Sequence, residues 1–303
     1  MQQKKYHSIV RLGHRSTVDV LKEGDHIVVQ EKIDGANASF RKDKDGTLRA
    51  FSRNQELNEG NTLGGFYQWV QENIDPNSIS EGVIYFGEWI NPHKIKYPNY
   101  QKHFFLYDVY IDGDLTGYVN FDYVKACAEA LELNLIPTFY EGKYKSFEHL
   151  ESFIGQTKLG GQFGDKEMGE GIVVKNVDYK DRFGKQMFVK LVSDEFAEVQ
   201  QQKKAKDPNR AKSGEMIFVE LTVVEPRVEK LLHKFVDEGF LHSNFGIEDM
   251  GLILRHMGNA IFDDIMAEEF DMLPVPFDEK AVRKSIGKRL PVIVKNIINK
   301  NSK

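Results

Sequence analysis

Between residues 25 and 195 the apolar residues come in short bursts, and none continues far enough to build a long helix. The runs HIVVQEKI, TLRAFSR, GVIYFGEW, HFFLYDVYI, LIPTFYEG, EGIVVKN and QMFVKLV are rich in β-branched and aromatic residues and bounded by Gly, Pro, Asn or Asp. Several alternate in polarity with a period of two, as half-buried antiparallel strands do. Helical period interrupts them three times. GFYQWVQENI is short and stops near Asp75-Pro76. NFDYVKACAEALEL places Phe121, Val124, Ala128 and Leu131 on one face. SFEHLESFI begins at Ser146, a good N-cap, and carries a stripe of Phe147, Leu150 and Ile154. Strands outnumber helices and need not alternate with them, which predicts an α+β domain built on antiparallel sheets.

The last third has a different texture. Pro226 opens a stretch in which Val228, Leu231, Leu232 and Phe235 form a stripe, with Gly239 at a fitting stop. Met250, Leu254, Met257, Ile261 and Ile265 form a second stripe. A third begins at Asp278 and carries Val282, Ile286 and Leu290, with Pro291 expected to kink or break it. Such stripes pack on one another in a helical domain. The join is QQKKAKDPNRAKSG, where Lys203, Lys204, Lys206, Arg210 and Lys212 face the single acid Asp207. The expected organisation is a domain over residues 1–200, a basic linker over 201–213 and a small all-helical domain over 214–303.

Composition narrows the function classes. A single cysteine, Cys127, rules out a disulfide framework and a cysteine-rich zinc site, and it favours a reducing compartment. No apolar run reaches the roughly 18 residues of a membrane span, and the start MQQKKYHSIV lacks a secretory apolar core. These features predict a soluble cytoplasmic protein. The formal net charge of −5 provides no global basic field, so a nucleic-acid partner must be held by a local patch.

The chemistry centres on VVQEKIDGAN, residues 28–37. Lys32 stands two residues before Asp34-Gly35, a dipeptide favoured in tight hairpin turns, and Lys-x-Asp-Gly by itself is a weak signal. Downstream segments add functional groups at strand ends: Arg53 in FSRN, Glu88 in YFGEW, Tyr107 and Asp108 in LYDVY, Glu170 and Lys175 in EGIVVK, and Lys190 in FVKLV. Gathered in one cleft, these cations, carboxylates and aromatic face suit a nucleoside triphosphate with a divalent metal.

In order and spacing, EKIDGAN, SRN, YFGEW, FLYDVY, EGIVVK and FVKLV resemble the six blocks of the covalent nucleotidyltransferases, the superfamily of ATP-dependent RNA and DNA ligases and messenger-RNA capping enzymes. The likeness is greatest to the RNA ligase 2-like group. Glu31 before the lysine, Asn37 five residues after it and the opening KKYHSI all resemble that group, and the resemblance covers roughly residues 4–198. It implies an antiparallel-sheet, ATP-grasp-like ligase domain followed by a helical domain. It also implies ATP and Mg2+ or Mn2+ as cofactors, and the joining of 5′-phosphate and 3′-hydroxyl ends. Those ends would be RNA, nicked duplex or single strand, with an end-healing kinase or phosphatase as a further partner.

Carried over block by block, Lys32 would attack the α-phosphate of ATP and hold AMP. Glu31 and Asn37 would help seat the nucleotide, Arg53 would contact it, Glu88 would bind the ribose, and Tyr107 would stack on adenine. Glu170 would act with the metal, Asp108 is a second metal candidate, and Lys175 and Lys190 would neutralise phosphate charge. The chemistry fits these residue types. A free lysine is mostly protonated at neutral pH until cations, metal or burial depress its pKa, and nucleotidyl transfer depends on positioning and charge neutralisation.

One departure stands out. The family's last block commonly reads Lys-x-Lys, whereas Val192 stands in the second lysine's place here, so either Lys190 serves alone or Arg182 or Lys185 covers part of the missing charge. Alternatives are a DNA ligase, a capping-type nucleotidyltransferase, or a relative that binds nucleic acid without catalysis. The loop NPHKIKYPNY (91–100) mixes cations with Tyr97 and Tyr100 as a nucleic-acid grip does, and equally as a solvated loop does. GGQFGDKEMGEG (160–171) lacks a P-loop ending and reads as a mobile loop before a strand. The nine histidines show no metal-ligand spacing.

Overall fold

The computed structural model describes residues 3–13, 17, 20–91, 93–112, 117–180, 186–193, 196, 213–273 and 275–301. The chain divides into two compact units, Met1–Ser193 and Asp194–Lys303. The linker residues 201–212, with their five cations, lie outside the described residues, as do Arg182 and Lys185.

In chain order the first unit contains β1 (Val10–Arg11), β2 (His26–Lys32), β3 (Ala36–Lys42), β4 (Leu48–Ser52), α1 (Phe66–Asn73), β5 (Val83–Trp89), β6 (Phe104–Ile111), β7 (Gly117–Tyr118) and α2 (Phe121–Ala130). There follow β8 (Asn134–Leu135), β9 (Thr138–Lys143), α3 (Phe147–Glu151), the pair β10 (Gln162–Phe163) and β11 (Lys166–Glu167), then β12 (Gly171–Lys180) and β13 (Gln186–Val192). Two sheets result. The first has the order β1-β13-β12-β2-β9, and the second runs β4-β3-β5-β6-β7 with β8 beside β6. Pairing is antiparallel except for β1 with β13 and β6 with β8.

Period-two patterning assigns each sheet two different faces. Ala36, Ala38, Phe40, Trp89, Phe104 and Leu106 of the second sheet pack against Phe66 and Val70 of α1 and Phe121, Val124 and Ala128 of α2. Ile27, Val29, Ile172, Val174 and Val189 of the first sheet pack with Leu150 of α3. Between the sheets, Ile84, Phe86 and Tyr110 meet Phe188, Tyr6 and Val173. β5 and β6 approach so closely that a Cβ on Gly87 would lie 2.2 Å from the Phe104 ring and 2.5 Å from the Phe105 carbonyl oxygen. Only glycine fits there.

Four expectations need correction. Asp34-Gly35 is no hairpin: β2 pairs with β12 and β9 in one sheet, while β3 pairs with β4 and β5 in the other. The chain therefore crosses between sheets immediately after Lys32. Gly35 is required because a Cβ would sit 2.7 Å from the Trp89 carbonyl oxygen, a close approach rather than a turn conformation. Residues 160–171 are a structured hairpin rather than a loose loop, tied by Met168 N–H to Gly161 O at 2.7 Å and by two backbone bonds between Gln162 and Lys96 at 2.8 and 2.9 Å. Phe147 is 44% exposed, because α3 is a single turn and a half that buries only Leu150.

The fourth correction lies in the helical unit. Here α4 (Gly214–Thr222), α5 (Glu225–Asp237), α6 (Met250–Glu268) and α7 (Glu279–Asn301) share one core, which includes Val228, Leu231, Leu232, Met257, Ile261, Ile265, Val282, Ile286 and Leu290. Helix α7 continues through Pro291 without the break the proline could have made. Leu290, Ile293, Val294 and Ile297 are buried on both sides of the proline, and that packing offsets the lost amide bond. Arg227 lies fully buried in this core. Its guanidinium is 2.5 Å from Asp264 and 2.9 Å from Glu269. Removing one member of such a group strands buried charge. Arg227→Ala is expected to destabilise the helical unit by about 3–5 kcal/mol, read as an earlier loss of helical circular dichroism in denaturant.

Candidate active site

Lys32 is the last residue of β2 and pairs in register with Gly171, the first residue of β12. That pairing brings Glu170 beside it, and the Lys32 ammonium donates to Glu170 Oε2 at 2.6 Å. Lys32, Val28 and Lys175 stand on the face of the first sheet that looks toward the second, the face that also carries Val173 and Phe188. Opposite, the pairing of Asn37 with Glu88 places both at the end of the second sheet. Asn37 Nδ2 donates a short hydrogen bond to the Tyr107 hydroxyl. Arg53 is close enough to act on Tyr107 electrostatically, and it donates to the Ser8 hydroxyl at 2.9 Å. Lys32, Asn37, Arg53, Glu88, Tyr107 and Glu170 thus come together from segments far apart in sequence.

The electrostatics are those of crowded carboxylates near one amine. Burial pushes the Glu88 carboxyl up to about 8, helped by the negative Glu170 and Asp34 and opposed by Lys32 and His93. Asp34 goes the other way. Burial would raise it, but the His93 imidazole, the Ile95 amide and the Lys32 ammonium together hold it below the usual carboxylate value.

Lys175 is buried and donates to the Tyr107 carbonyl oxygen at 2.5 Å and to Asp108 Oδ2 at 3.1 Å. Burial depresses its pKa, and Asp108 opposes that shift. Asp108 also accepts from the Tyr6 hydroxyl at 2.9 Å and from the Val109 amide at 3.2 Å. These three donors make it a pin between β12 and β6. Lys190 is buried on β13, paired in register with Val173 and Arg11. Among the described residues no three His, Cys, Asp or Glu side chains gather as metal ligands. A divalent ion here would lean on Glu170 and take its remaining oxygens from phosphate and water, as magnesium commonly does.

Glu31 faces away from this cleft, because neighbours on a strand point to opposite sides. Its buried carboxylate accepts from Thr157 Oγ1 at 2.7 Å and the Lys158 amide at 2.8 Å. Asp34 does the same for another loop. Its Oδ2 accepts from the Ile95 amide at 2.8 Å, its Oδ1 lies 3.4 Å from His93 Nδ1, and its own amide donates to the Tyr97 hydroxyl at 3.1 Å. Ile95 and Tyr97 are 1% exposed, so residues 93–97 are a strap packed down at these two side chains rather than a fully solvated loop. Lys94, at 5.4 Å from the Phe163 ring, ties that strap to the β10–β11 hairpin.

Sequence reasoning missed Gln30 and did not foresee the scaffold roles of Tyr6 and Tyr97. Tyr6 stacks edge-on to Tyr107 at 4.9 Å and bonds Asp108. Tyr97 fixes the Asp34 amide. Gln30, 1% exposed on the same strand, has an amide nitrogen with no hydrogen-bond partner among the described residues. An unsatisfied buried donor of this kind costs about 1–3 kcal/mol until water or ligand meets it. Tyr6 had a signal in the KKYHSI block and Tyr97 in the 91–100 loop, whereas Gln30 had none.

The RNA ligase family matches residues 25–192, more than half of the chain and the stretch that carries every candidate site residue from Glu31 to Lys190. The chain belongs to the RNA ligase family. A comparison with curated proteins finds no match. Among solved structures it is similar to Naegleria gruberi RNA ligase. One mutant form with ATP and Mn gives 19% identity over 64% of this chain and 57% of that one, with a TM-score of 0.49. A second such mutant gives 19% over 63% and 56%, at 0.48. A third, with AMP and Mn, gives 18% over 64% and 57%, at 0.45. The chain thus spans little more than half the length of the Naegleria enzyme.

Two outcomes follow from the geometry. The folded chain holds the Glu88 proton between the ordinary value of 4.5 and about 8, so the stability that this group contributes is full below the lower value and lost as pH rises through the upper. Glu88→Gln is therefore expected to gain stability over the parent as pH goes from 5 to 9, read from denaturation midpoints. Asp34→Ala is expected to release the strap, with the Ile95 amide losing about 1–3 kcal/mol of hydrogen-exchange protection.

Proposed function

We propose that this chain is an ATP-dependent RNA ligase that works through a covalent lysyl-AMP. The observation that carries the reading is the Lys32 amine held at 2.6 Å from Glu170, at the mouth of a cleft formed by a stretch that belongs to the RNA ligase family. The Naegleria relatives, solved with ATP or AMP and Mn, agree in cofactor.

The reaction has three displacements at phosphorus. Lys32 Nζ, having given up its proton, attacks the α-phosphorus of ATP. A P–N bond forms, the α–β P–O bond breaks, and pyrophosphate leaves with the electron pair. A 5′-phosphate oxygen then attacks the same phosphorus, and Lys32 departs and takes back a proton. Finally a 3′-hydroxyl attacks the activated 5′-phosphate and expels AMP. A divalent ion would supply charge neutralisation on the phosphates.

The chain's own groups do the rest. Tyr107, its hydroxyl fixed by Asn37, offers its ring to adenine. Glu88 meets the ribose, and Arg53 and Lys190 meet phosphate. Lys175 acts chiefly as the pin that sets Tyr107, since its charge is shared with Asp108. Glu31 seats the nucleotide only indirectly, by holding the 157–158 segment.

The substrates are nucleic-acid ends, and RNA ends on this reading. Ends that lack a 5′-phosphate or 3′-hydroxyl need a separate kinase or phosphatase first. No helix of the described residues is long and apolar enough to cross a membrane, and the place of action proposed is the cytoplasm.

Incubation with α-labelled ATP and magnesium or manganese is expected to leave label on the denatured chain, and Lys32→Ala is expected to abolish it. Equal labelling of the variant would sink the nucleophile. Sealing of nicked RNA in preference to nicked DNA completes the test, and preference for DNA would overturn the substrate.

A further inference from the structure

Helix α7 concentrates positive charge in a chain whose formal net charge is −5: between Glu279 and Asn301 there are seven lysines and arginines and one acid. The two arginines are engaged locally. Arg283 bonds Glu279 and covers the Phe262 ring at 3.6 Å, and Arg289 donates to the Val223 carbonyl oxygen at 2.6 Å. Lys300 bonds Glu225. Lys280, Lys284, Lys288 and Lys295 are all exposed, and none forms an ion pair with a carboxylate among the described residues.

Their spacing puts them together. At 3.6 residues per turn the four fall within an arc of about 80°, in a row about 22 Å long. Val282, Ile286, Leu290, Ile293 and Ile297 occupy the buried face opposite. A cationic row on an amphipathic helix is ordinarily a solvated face whose acids at i±4 relieve the repulsion. This row has no such acids, and lysines four apart repel one another. The helix therefore carries an uncompensated electrostatic cost that a polyanion of matching length would remove.

We infer that the lysine row of α7 is a docking surface for the phosphate backbone of a polynucleotide. A duplex presents a phosphate about every 3.4 Å of axis on each strand, so the row spans several. The inference deepens the ligase reading and rests on it for the kind of polynucleotide, an RNA duplex. Contact through ammonium groups to phosphate carries no base readout. The surface gives affinity and salt dependence rather than sequence preference.

The test uses the full chain and a nicked RNA duplex, with binding followed by fluorescence anisotropy over a salt series. One variant carries Lys280→Gln, Lys284→Gln, Lys288→Gln and Lys295→Gln. A charge-matched control carries Lys22→Gln, Lys44→Gln, Lys143→Gln and Lys145→Gln at exposed positions of the first unit.

The row variant is expected to bind at least about tenfold more weakly and to lower the slope of log K against log salt by about 3 to 4, while the control stays within about twofold. Transfer of labelled AMP to the chain needs no RNA and is expected to be unchanged in both. Unchanged binding and slope in the row variant, or equal losses in both variants, would overturn the surface. So would row-dependent binding to phosphatidylserine vesicles with RNA binding intact. If the parent takes no label yet the row variant still loses RNA, the ligase reading fails and the surface stands. If the fourfold variant does not fold, Lys284→Gln with Lys288→Gln is expected to lower the slope by about 2, and no change there overturns the inference.

Discussion

The cleft depends on what two carboxylates do on either side of one lysine. Glu31 and Asp34 bracket Lys32, and each accepts backbone and side-chain donors from a different loop. Glu31 holds the 157–158 segment behind the first sheet. Asp34 holds the 93–97 strap at the point where the chain crosses between sheets. With both ends of the segment anchored, the Lys32 side chain has a fixed origin, and Glu170 has a fixed target. A buried carboxylate with several hydrogen bonds resists displacement more than a packed methyl group does, because moving it leaves charge and donors unsatisfied. Positioning of this kind is what nucleotidyl transfer demands of a protein.

The second sheet shows the complementary device. Lys175 and Asp108 join β12 to β6, and Tyr6 closes the group from the N-terminal segment. The ammonium also bonds the backbone oxygen of Tyr107, so the pair sets the strand whose aromatic ring stands in the cleft. Tyr6, Tyr107, Tyr118 and Phe188 then fill the space between the sheets with edge-on contacts. A buried ion pair and an aromatic cluster thus support the same wall from below.

Much of this was legible in the residues, for physical reasons that differ from place to place. The strands rich in Val, Ile and aromatic residues were readable because those side chains fit a half-buried pleat. β3 was not: ANASFRK is composed largely of residues depleted in strands. It is a strand because it is paired on both sides, with Ala38 opposite Ser52 of β4 and Gly87 of β5. The facing of Glu31 was available from alternation alone, since it must oppose Lys32, although the family pattern drew it toward the nucleotide. The Asp34 strap was not available. Its partners lie 61 residues away, and Asp-Gly is locally a turn signal that only the sheet assignments override. Pro291 is similar, a local breaker overruled by the apolar residues packed on both sides of it.

The crossing after Lys32 also governs when the cleft can exist. Had Asp34-Gly35 closed a hairpin, the lysine would have gained its strand partner within a few residues. Instead β2 waits for β12 and β9, and Lys32 is separated from Glu170 by 138 residues. Long-range pairing of this kind is slow, because loop closure must come before the contacts that reward it. A chain emerging from the ribosome therefore carries an inert amine until nearly the whole first unit has been made. The cleft appears only when that unit folds as one.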